Sequence, residues 1–337
     1  MRKKIFLFAV GLCGLVEMSA AKELAFKLSA GGSWIDGGDL NATIAGWRRY
    51  FQDRQSPYFS ATYTLEEMHA FPEIRAELNY CLSSRWSVGI EALWQMQRTK
   101  GDIRAQLKKD ETTPLSPSGT ISISRQETSS KKASFTLESI PVMITVEYSL
   151  PVNGKFWVDF GVSGGMAWSK LNYGEDYEYD FHYTREELGP GVSFQYVERF
   201  HSAGGYAEKT RSRGPCFSAS LAFRFKLRSS LFFVAELFGR WVDLKSWQGE
   251  KTDSFEWRQI WGPWGAFSER GESEETSPGR LWRVDVRSEE TGRAYPRLVF
   301  SEEKPTSSSY LSVRPARINL SGLGLRMGFS YRFGQRI

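Results

Sequence analysis

Three histidines, His69, His182 and His201, are the side chains through which this chain could hold or move protons near neutral pH. Nucleophilic catalysis would need a hydroxyl or thiol in contact with such a base. The nearest sequence candidates are His201-Ser202, and His69 with a serine from another segment. Adjacent residues of an extended chain point to opposite sides, so His201 and Ser202 do not face each other on a strand. All three histidines are expected in solvated loops. Cys81 and Cys216 are expected at different heights of the fold, which leaves neither a disulfide nor a metal site to build from them. No catalytic residue and no cofactor is expected.

The other chemistry open to the chain is ionic, and it recurs at every second position. Glu73, Arg75 and Glu77 alternate with Ile74, Ala76 and Leu78; Arg224 and Lys226 alternate with Phe223, Phe225 and Leu227. The same pattern places Lys27, Glu91, Glu147, Asp159, Glu236, Arg240, Arg326 and Arg332 opposite apolar neighbours. Nearly balanced charges on one side of many strands are suited to a network of ion pairs. In a narrow interior an unpaired member would cost roughly 3–5 kcal/mol.

A period of two over these lengths demands strands, apolar on one side and polar on the other. Eight segments qualify, at about 24–35, 72–82, 86–99, 133–150, 156–172, 215–227, 231–244 and 317–333. In the last, Leu323, Leu325, Met327, Phe329, Tyr331 and Phe333 share one face. In the fourth, Phe135 and Leu137 lie on the phase opposite to Ile140, Val142 and Ile144, and a bulge near Ser139-Ile140-Pro141 is expected to reconcile them.

The connections sort by length. Ser83-Ser84-Arg85, the Asn153-Gly154 turn and Arg228-Ser229-Ser230 are tight, whereas about 36–71, 100–132, 173–214 and 246–315 are long loops. Two stretches inside the loops also alternate. Tyr177 to Tyr183 with Val192 to Tyr196, and Leu281 to Arg287 with Tyr295 to Phe300, are expected as hairpins.

Residues 1–21 have the parts of a secretory signal: Arg2, Lys3 and Lys4, then the apolar run Ile5 to Val16, then Ser19-Ala20-Ala21. That run is too short to cross a ~30 Å hydrocarbon layer. The expected domains are a cleaved signal, 1–21, and one barrel, 22–337. Mean hydropathy is low (−0.41) although aromatics make up 15% of the chain. After the signal no window approaches ~18 uninterrupted apolar residues, and that combination is awkward for a helical membrane protein and suits strands whose apolar side faces lipid. Part of the net charge of +5 belongs to the signal, and the remaining charges are interspersed, so no nucleic-acid partner is expected.

Aromatics mark two expected girdles of the lipid band. Trp86, Phe156, Trp157, Phe232, Tyr331 and Phe333 lie near the tight turns; Trp34, Trp94, Trp168 and Trp241 lie toward the long loops. Trp257, Trp261, Trp264 and Trp282 in the longest loop could contact a ligand, or could pack the loop hairpins against each other.

With its signal, alternating strands, sorted connections and aromatic final strand, the chain resembles the small, eight-stranded OmpA/OmpX/OmpW-type outer-membrane barrels. The resemblance implies an all-β, antiparallel up-and-down transmembrane barrel with short periplasmic turns and long extracellular loops. Implied partners are outer-membrane lipids, the outer-membrane assembly machinery through the C-terminal strand, and an extracellular ligand or surface partner. Family members commonly end on the aromatic itself, whereas Gly334 to Ile337 follow Phe333 here. The function expected is a non-enzymatic barrel with a salt-bridged lumen that presents its loops. Two alternatives stay open: a narrow, porin-like passage for small or apolar solutes, and an outer-leaflet lipid-modifying enzyme. The lipid A deacylases are similar in size and strand number, but their His-x-Ser signature is approached here only by His182-Tyr183-Thr184.

Overall fold

The structure, a computed structural model, describes residues 23–115, 119–189 and 192–333; the signal and the residues after Phe333 lie outside the described residues. Eight antiparallel strands close into a ring: β1 (Leu24–Ile35), β3 (Ala70–Cys81), β4 (Trp86–Leu115), β5 (Gly119–Asn153), β6 (Phe156–Gly189), β7 (Val192–Lys226), β8 (Leu231–Leu244) and β14 (Gly322–Phe333). Closure is made by β14, which pairs with β8 on one side and β1 on the other. A closed ring leaves no edge within its height, as a strand structure in hydrocarbon requires.

Side chains alternate around this ring without interruption. Phe26, Leu28, Ile74, Ile90, Ile144, Val162, Phe217, Leu237, Leu325 and Phe329 point outward and are exposed. An apolar belt of this kind, exposed all round, is stable against lipid tails and not against water. Trp34, Trp86, Trp168, Trp241, Tyr331 and Phe333 are exposed on the same surface, and Trp94 and Phe156 are half-buried in it. Trp157 and Phe232 correct the expectation. Both belong to the inward phase, where their rings meet edge-on at 5.6 Å.

Strands β4 to β7 have 30 to 35 residues each, whereas about 9–11 suffice to cross the hydrocarbon. Three of the four expected long loops are therefore largely strand. They continue β4–β7 upward as a wall, extended by β9 (Gln248–Pro263) along β7 and β10 (Phe267–Arg287) along β9. The strands β11 (Ala294–Ser301) and β12 (Tyr310–Pro315) pair with the last part of β10, and the two-residue β13 (Ile318–Asn319) pairs with the end of β8. Both expected hairpins form, with Gly189 opposite Val192 and Leu281 opposite Phe300. The wall is open at β10, where Glu269, Arg270, Glu272, Glu274, Glu275 and Pro278 discourage further strand pairing.

The bulge expected near Ser139 does not occur. Pairing of β5 with β4 keeps one register from Tyr148 to Gly119, and pairing with β6 shifts only near Pro151. Phe135 and Leu137 fall on the inward phase because the interior at that height is apolar. They join Leu93, Met143, Leu171, Cys216, Val242, Leu244, Trp247, Leu281 and Phe300 in one buried cluster.

A helix that alternation could not reveal completes that cluster. The segment expected as a loop at 36–71 contains α1 (Asp39–Asp53) and the short strand β2 (Phe59–Tyr63), which pairs with β4. Leu40, Ile44 and Trp47, spaced by four and three, form the helix's apolar stripe. Leu40 and Ile44 are fully buried in the cluster, and Trp47 packs on Phe135 and Tyr173. Gly37 and Gly38 turn the chain into the helix at positive φ. A Cβ on Gly46 would lie 2.7 Å from the Pro296 carbonyl oxygen, so a glycine is needed where the helix meets β11.

Both helix ends are held by charge. Asp39 in the first turn receives Arg283 Nη1 at 3.0 Å, Arg314 Nη1 at 2.7 Å and the Arg317 backbone N–H at 2.7 Å. A carboxylate there also complements the helix dipole. At the other end Asp53 accepts from the Tyr295 hydroxyl at 2.6 Å and from Arg293 at 2.8 Å. These donors hold the Asp53 carboxyl below its usual range.

Candidate functional site

Three places in this fold could carry function: the lumen, the inward face of the wall and its outward face. Arg75 lies at the centre of the lumen network. Its Nη1 is 2.5 Å from Glu236, its Nε is 2.5 Å from Glu91, and Nη2 contacts Glu77. Arg326 bridges Glu73 at 3.2 Å and Glu236 at 2.9 Å, and Arg240 reaches Glu73 at 2.8 Å. Lys27 joins Glu77 at 3.5 Å and also contacts Glu147; Arg224 pairs with Asp159 at 3.2 Å. Phe238 lies between Arg326 and Arg240, 4.0 and 5.4 Å from its ring centre. Lys226 stands apart, exposed at the turn end of β7, and Arg332 pairs with Glu23 at 3.4 Å near the same rim.

Every charged residue of the central group is buried. The strands bring carboxylates and cations from opposite sides of the ring within contact because an eight-stranded bore is only wide enough for side chains. Directly above this ionic layer comes the apolar cluster, then α1. Cys216 belongs to the apolar layer, with its Sγ 3.3 Å from Met143 Sδ, whereas Cys81 lies at the turn end of β3.

On the wall, the phase that faces the lumen lower down becomes a half-buried aromatic surface. Tyr177 stacks on Phe255 (6.5 Å), Phe200 on Trp257 (6.3 Å) and Trp261 on Phe267 (6.0 Å). Tyr179 leans on Phe200, and Arg125 lies 5.6 Å above the Phe181 ring. Of the four tryptophans expected to contact a ligand, Trp257 and Trp261 lie on this surface. Trp264 is exposed at the β9–β10 turn, edge-on to Phe194. Trp282 donates its indole N–H to the Ser301 carbonyl at 3.3 Å, within the β10–β11 hairpin.

Nearer the helix the same face holds Tyr173, Tyr206, Glu175 and Glu208. Glu208 is 5% exposed and accepts from the Tyr206 hydroxyl. Burial pushes its carboxyl up to about 7, although Tyr206 and Lys251 oppose the shift. The same surroundings raise the Tyr206 hydroxyl well above its ordinary range.

His182 and His201 lie on the outward phase of the wall, in strands rather than solvated loops, beside a cleft of about 510 Å³ shared with Arg199, Arg258 and Asp180. His201 Nδ1 is 2.7 Å from Asp180 Oδ1, and Ser202 is buried on the opposite face. His182 Nε2 meets Thr184 at 3.3 Å and Arg199 at 3.3 Å. Burial and the Arg199 charge lower the His182 pKa, favouring neutral imidazole. Glu178, Asp180 and His201 bring donor atoms within 4.8 Å of one another, so they could ligate a cation. Arg258 is directly opposite His201 in register, which places a positive charge beside that cluster. His69 is in neither place. It stacks on Trp34 at 5.1 Å and meets Glu67 at 3.2 Å.

No family model matches this sequence, and no curated relative does. Among solved structures the chain is similar to the outer membrane protein OprG of Pseudomonas aeruginosa, at 10% identity, 93% of this chain and 96% of that one, with a TM-score of 0.26. It is also similar to the outer membrane protease OmpT of Escherichia coli, at 7% identity, 94% and 99% coverage, with a TM-score of 0.29. A Pseudomonas aeruginosa FadL homologue gives 7% identity, 94% and 91% coverage, and a TM-score of 0.19. The closed ring, its register and its apolar belt make this chain an all-β barrel of the outer-membrane type.

Proposed function

We propose that this protein is a non-enzymatic outer-membrane barrel whose bore is closed and whose wall is a contact surface outside the cell. One observation carries the reading: the bore is filled twice, by a buried ion-pair layer and by an apolar layer sealed under α1. Opening a path would mean breaking several buried pairs at once, each costing roughly 3–5 kcal/mol. The tight turns face the periplasm and the wall faces outward, as in outer-membrane barrels generally. Ring size and connection lengths support kinship with the small OmpA/OmpX/OmpW-type barrels.

The contact surface is the aromatic face around Tyr177, Phe200, Phe255, Trp257 and Trp261. Half-exposed rings interleaved with Arg125, Glu127 and Gln259 supply both area and hydrogen bonds to an extracellular ligand. Cells displaying the protein are tested for retention on immobilised surface glycans and proteins. Trp257→Ala with Trp261→Ala is expected to abolish that retention while leaving heat-modifiable gel migration unchanged. In planar bilayers the wild-type protein is expected to pass no stepwise current. Steps that change with Glu91→Gln or Arg224→Gln would establish a passage and overturn the closed-bore reading. Lipid A masses are expected to be the same with and without expression; a changed mass would establish an enzyme instead.

A further inference from the structure

Just above the girdle, the outward face of the wall carries six cations on neighbouring strands: Arg98 and Lys100 on β4, Lys170 on β6, and Lys209, Arg211 and Arg213 on β7. The register groups them tightly. Arg213 is opposite the girdle residue Trp168, Lys170 is opposite Arg211, and Lys209 is opposite Asn172. On the other flank Arg98 and Lys100 are opposite Thr136 and Ser134. Each step of two residues adds ~7 Å along a strand, so the patch begins at the girdle and ends about 20 Å above it along the strands.

Among the described residues none of the six side chains has an ion pair or hydrogen bond. Higher on the wall several cations are matched along their own strand, Lys108 with Asp110, Arg125 with Glu127, Arg185 with Glu187, and Lys251 with Asp253, whereas among the described residues Arg104, Lys132, Arg258 and Arg270 stand singly without an ion pair. Two carboxylates border the patch in register, Glu138 opposite Lys170 and Glu250 opposite Lys209; neither is ion-paired to a patch cation, and Glu138 accepts the Trp94 indole N–H at 2.9 Å. Five of the six cations are exposed, and Lys170 is half-buried. Six cations without an ion pair thus stand side by side where the apolar belt ends.

The girdle fixes the height of this patch. Indole rings settle at the boundary between acyl chains and headgroups, and the next layer outward holds the headgroup phosphates. Arginine offers phosphate two parallel N–H donors, and lysine offers a mobile point charge. The neutral neighbours Ser134, Thr136 and Asn172 add hydroxyl and amide groups between the cations. From this arrangement we infer that the patch binds the phosphate-bearing headgroup of an outer-leaflet lipid, holding that lipid against the β4–β7 sector. The inference rests on the membrane-spanning reading given above.

The test uses the full mature chain in detergent and native mass spectrometry, with dioleoyl phosphatidic acid as probe and dioleoylglycerol as its phosphate-free counterpart. The wild type is expected to keep the acid at least about tenfold better than the glycerolipid. Replacing Arg98, Lys170, Arg211 and Arg213 by Gln together should lose roughly that whole preference. Neutralising Lys108, Arg258, Arg270 and Lys304, which lie outside the patch, should leave it. If the fourfold variant does not fold, the pair Arg211→Gln and Arg213→Gln is measured in its place, with a loss of about threefold expected.

Equal retention of the two lipids by the wild type, or undiminished preference in a folded patch variant, overturns the inference. Displacement of bound lipid by excess inorganic phosphate overturns it in favour of a soluble-anion site; persistence of the lipid supports it. Should the mature chain instead stay folded and monomeric without detergent, the membrane reading itself fails, an outcome visible before any lipid is added.

Discussion

One face of one strand changes chemistry along its length. On the inward side of β5, Ser149, Glu147 and Thr145 near the turn give way to Leu137 and Phe135 above, all buried. The outward side changes in the opposite sense, from Ile144 and Val146 to Ser134, Lys132 and Ser130. Below, the barrel is polar inside and apolar outside; above, it is apolar inside and polar outside. The strand geometry is the same in both, so the inversion reports the solvent. Where hydrocarbon surrounds the ring, burying apolar groups inside gains nothing, and specific ion pairs fill the bore. Where water surrounds it, the hydrophobic effect returns and the interior becomes an ordinary core.

The comparison breaks first, and most severely, at Arg75. Arg75→Met removes the partner of three buried carboxylates and is expected to destabilise the barrel by roughly 3–5 kcal/mol, read as loss of the folded band in heat-modifiable electrophoresis. Ile44→Ala strikes the apolar layer. It is expected to cost about 2–5 kcal/mol, but locally, raising amide exchange in α1 and β11 while the ring strands keep their protection.

Adding a charge to the outward face separates the two regions by sign of environment. Ile144→Lys, in the lipid belt, should cost roughly 2–4 kcal/mol in urea titrations of the lipid-reconstituted protein. Ser130→Lys, on the same face of the same strand, should stay within about 0.5 kcal/mol. Equal costs at the two sites would mean that no hydrocarbon boundary lies between them.

The smallest expected effect concerns Glu208 in the upper interior. Its folded pKa of about 7 lies above the ordinary carboxylate value, so its contribution is fully present at low pH and is lost as pH rises to about 7. The whole effect is on the order of 3 kcal/mol at most. Amide protection factors in the middle of β7, taken relative to the intrinsic exchange rate at each pH, should therefore fall as pH rises from 4.5 to about 7, and Glu208→Gln should flatten that dependence.

The lower barrel was far more legible in the sequence than the upper part, and particular residues show why. In β14 each alternate side chain meets a different medium, so Leu323 to Phe333 display the strand, its faces and its lipid side at once. For Phe135 and Leu137 alternation alone points to a bulge that the strand does not have, because alternation reports which side is apolar and not which medium lies there. The helix leaves a usable signal in Leu40, Ile44 and Trp47, spaced as a helix stripe within a segment that has no strand alternation. Trp157 and Phe232 look like girdle residues by type and height; only the inward phase of their positions removes them from it.

Sequence alone determined the membrane section: the strands, their short turns and the sign of each face, because alternation and local turn chemistry act between near neighbours. Tertiary structure decided which charges meet. Arg75 and Glu236 are 161 positions apart, and they come together only because the ring closes. It also decided that α1 covers the bore and that the outer segments form a wall rather than loops. Those outcomes depend on cross-strand register and on packing between distant segments, which no local periodicity encodes.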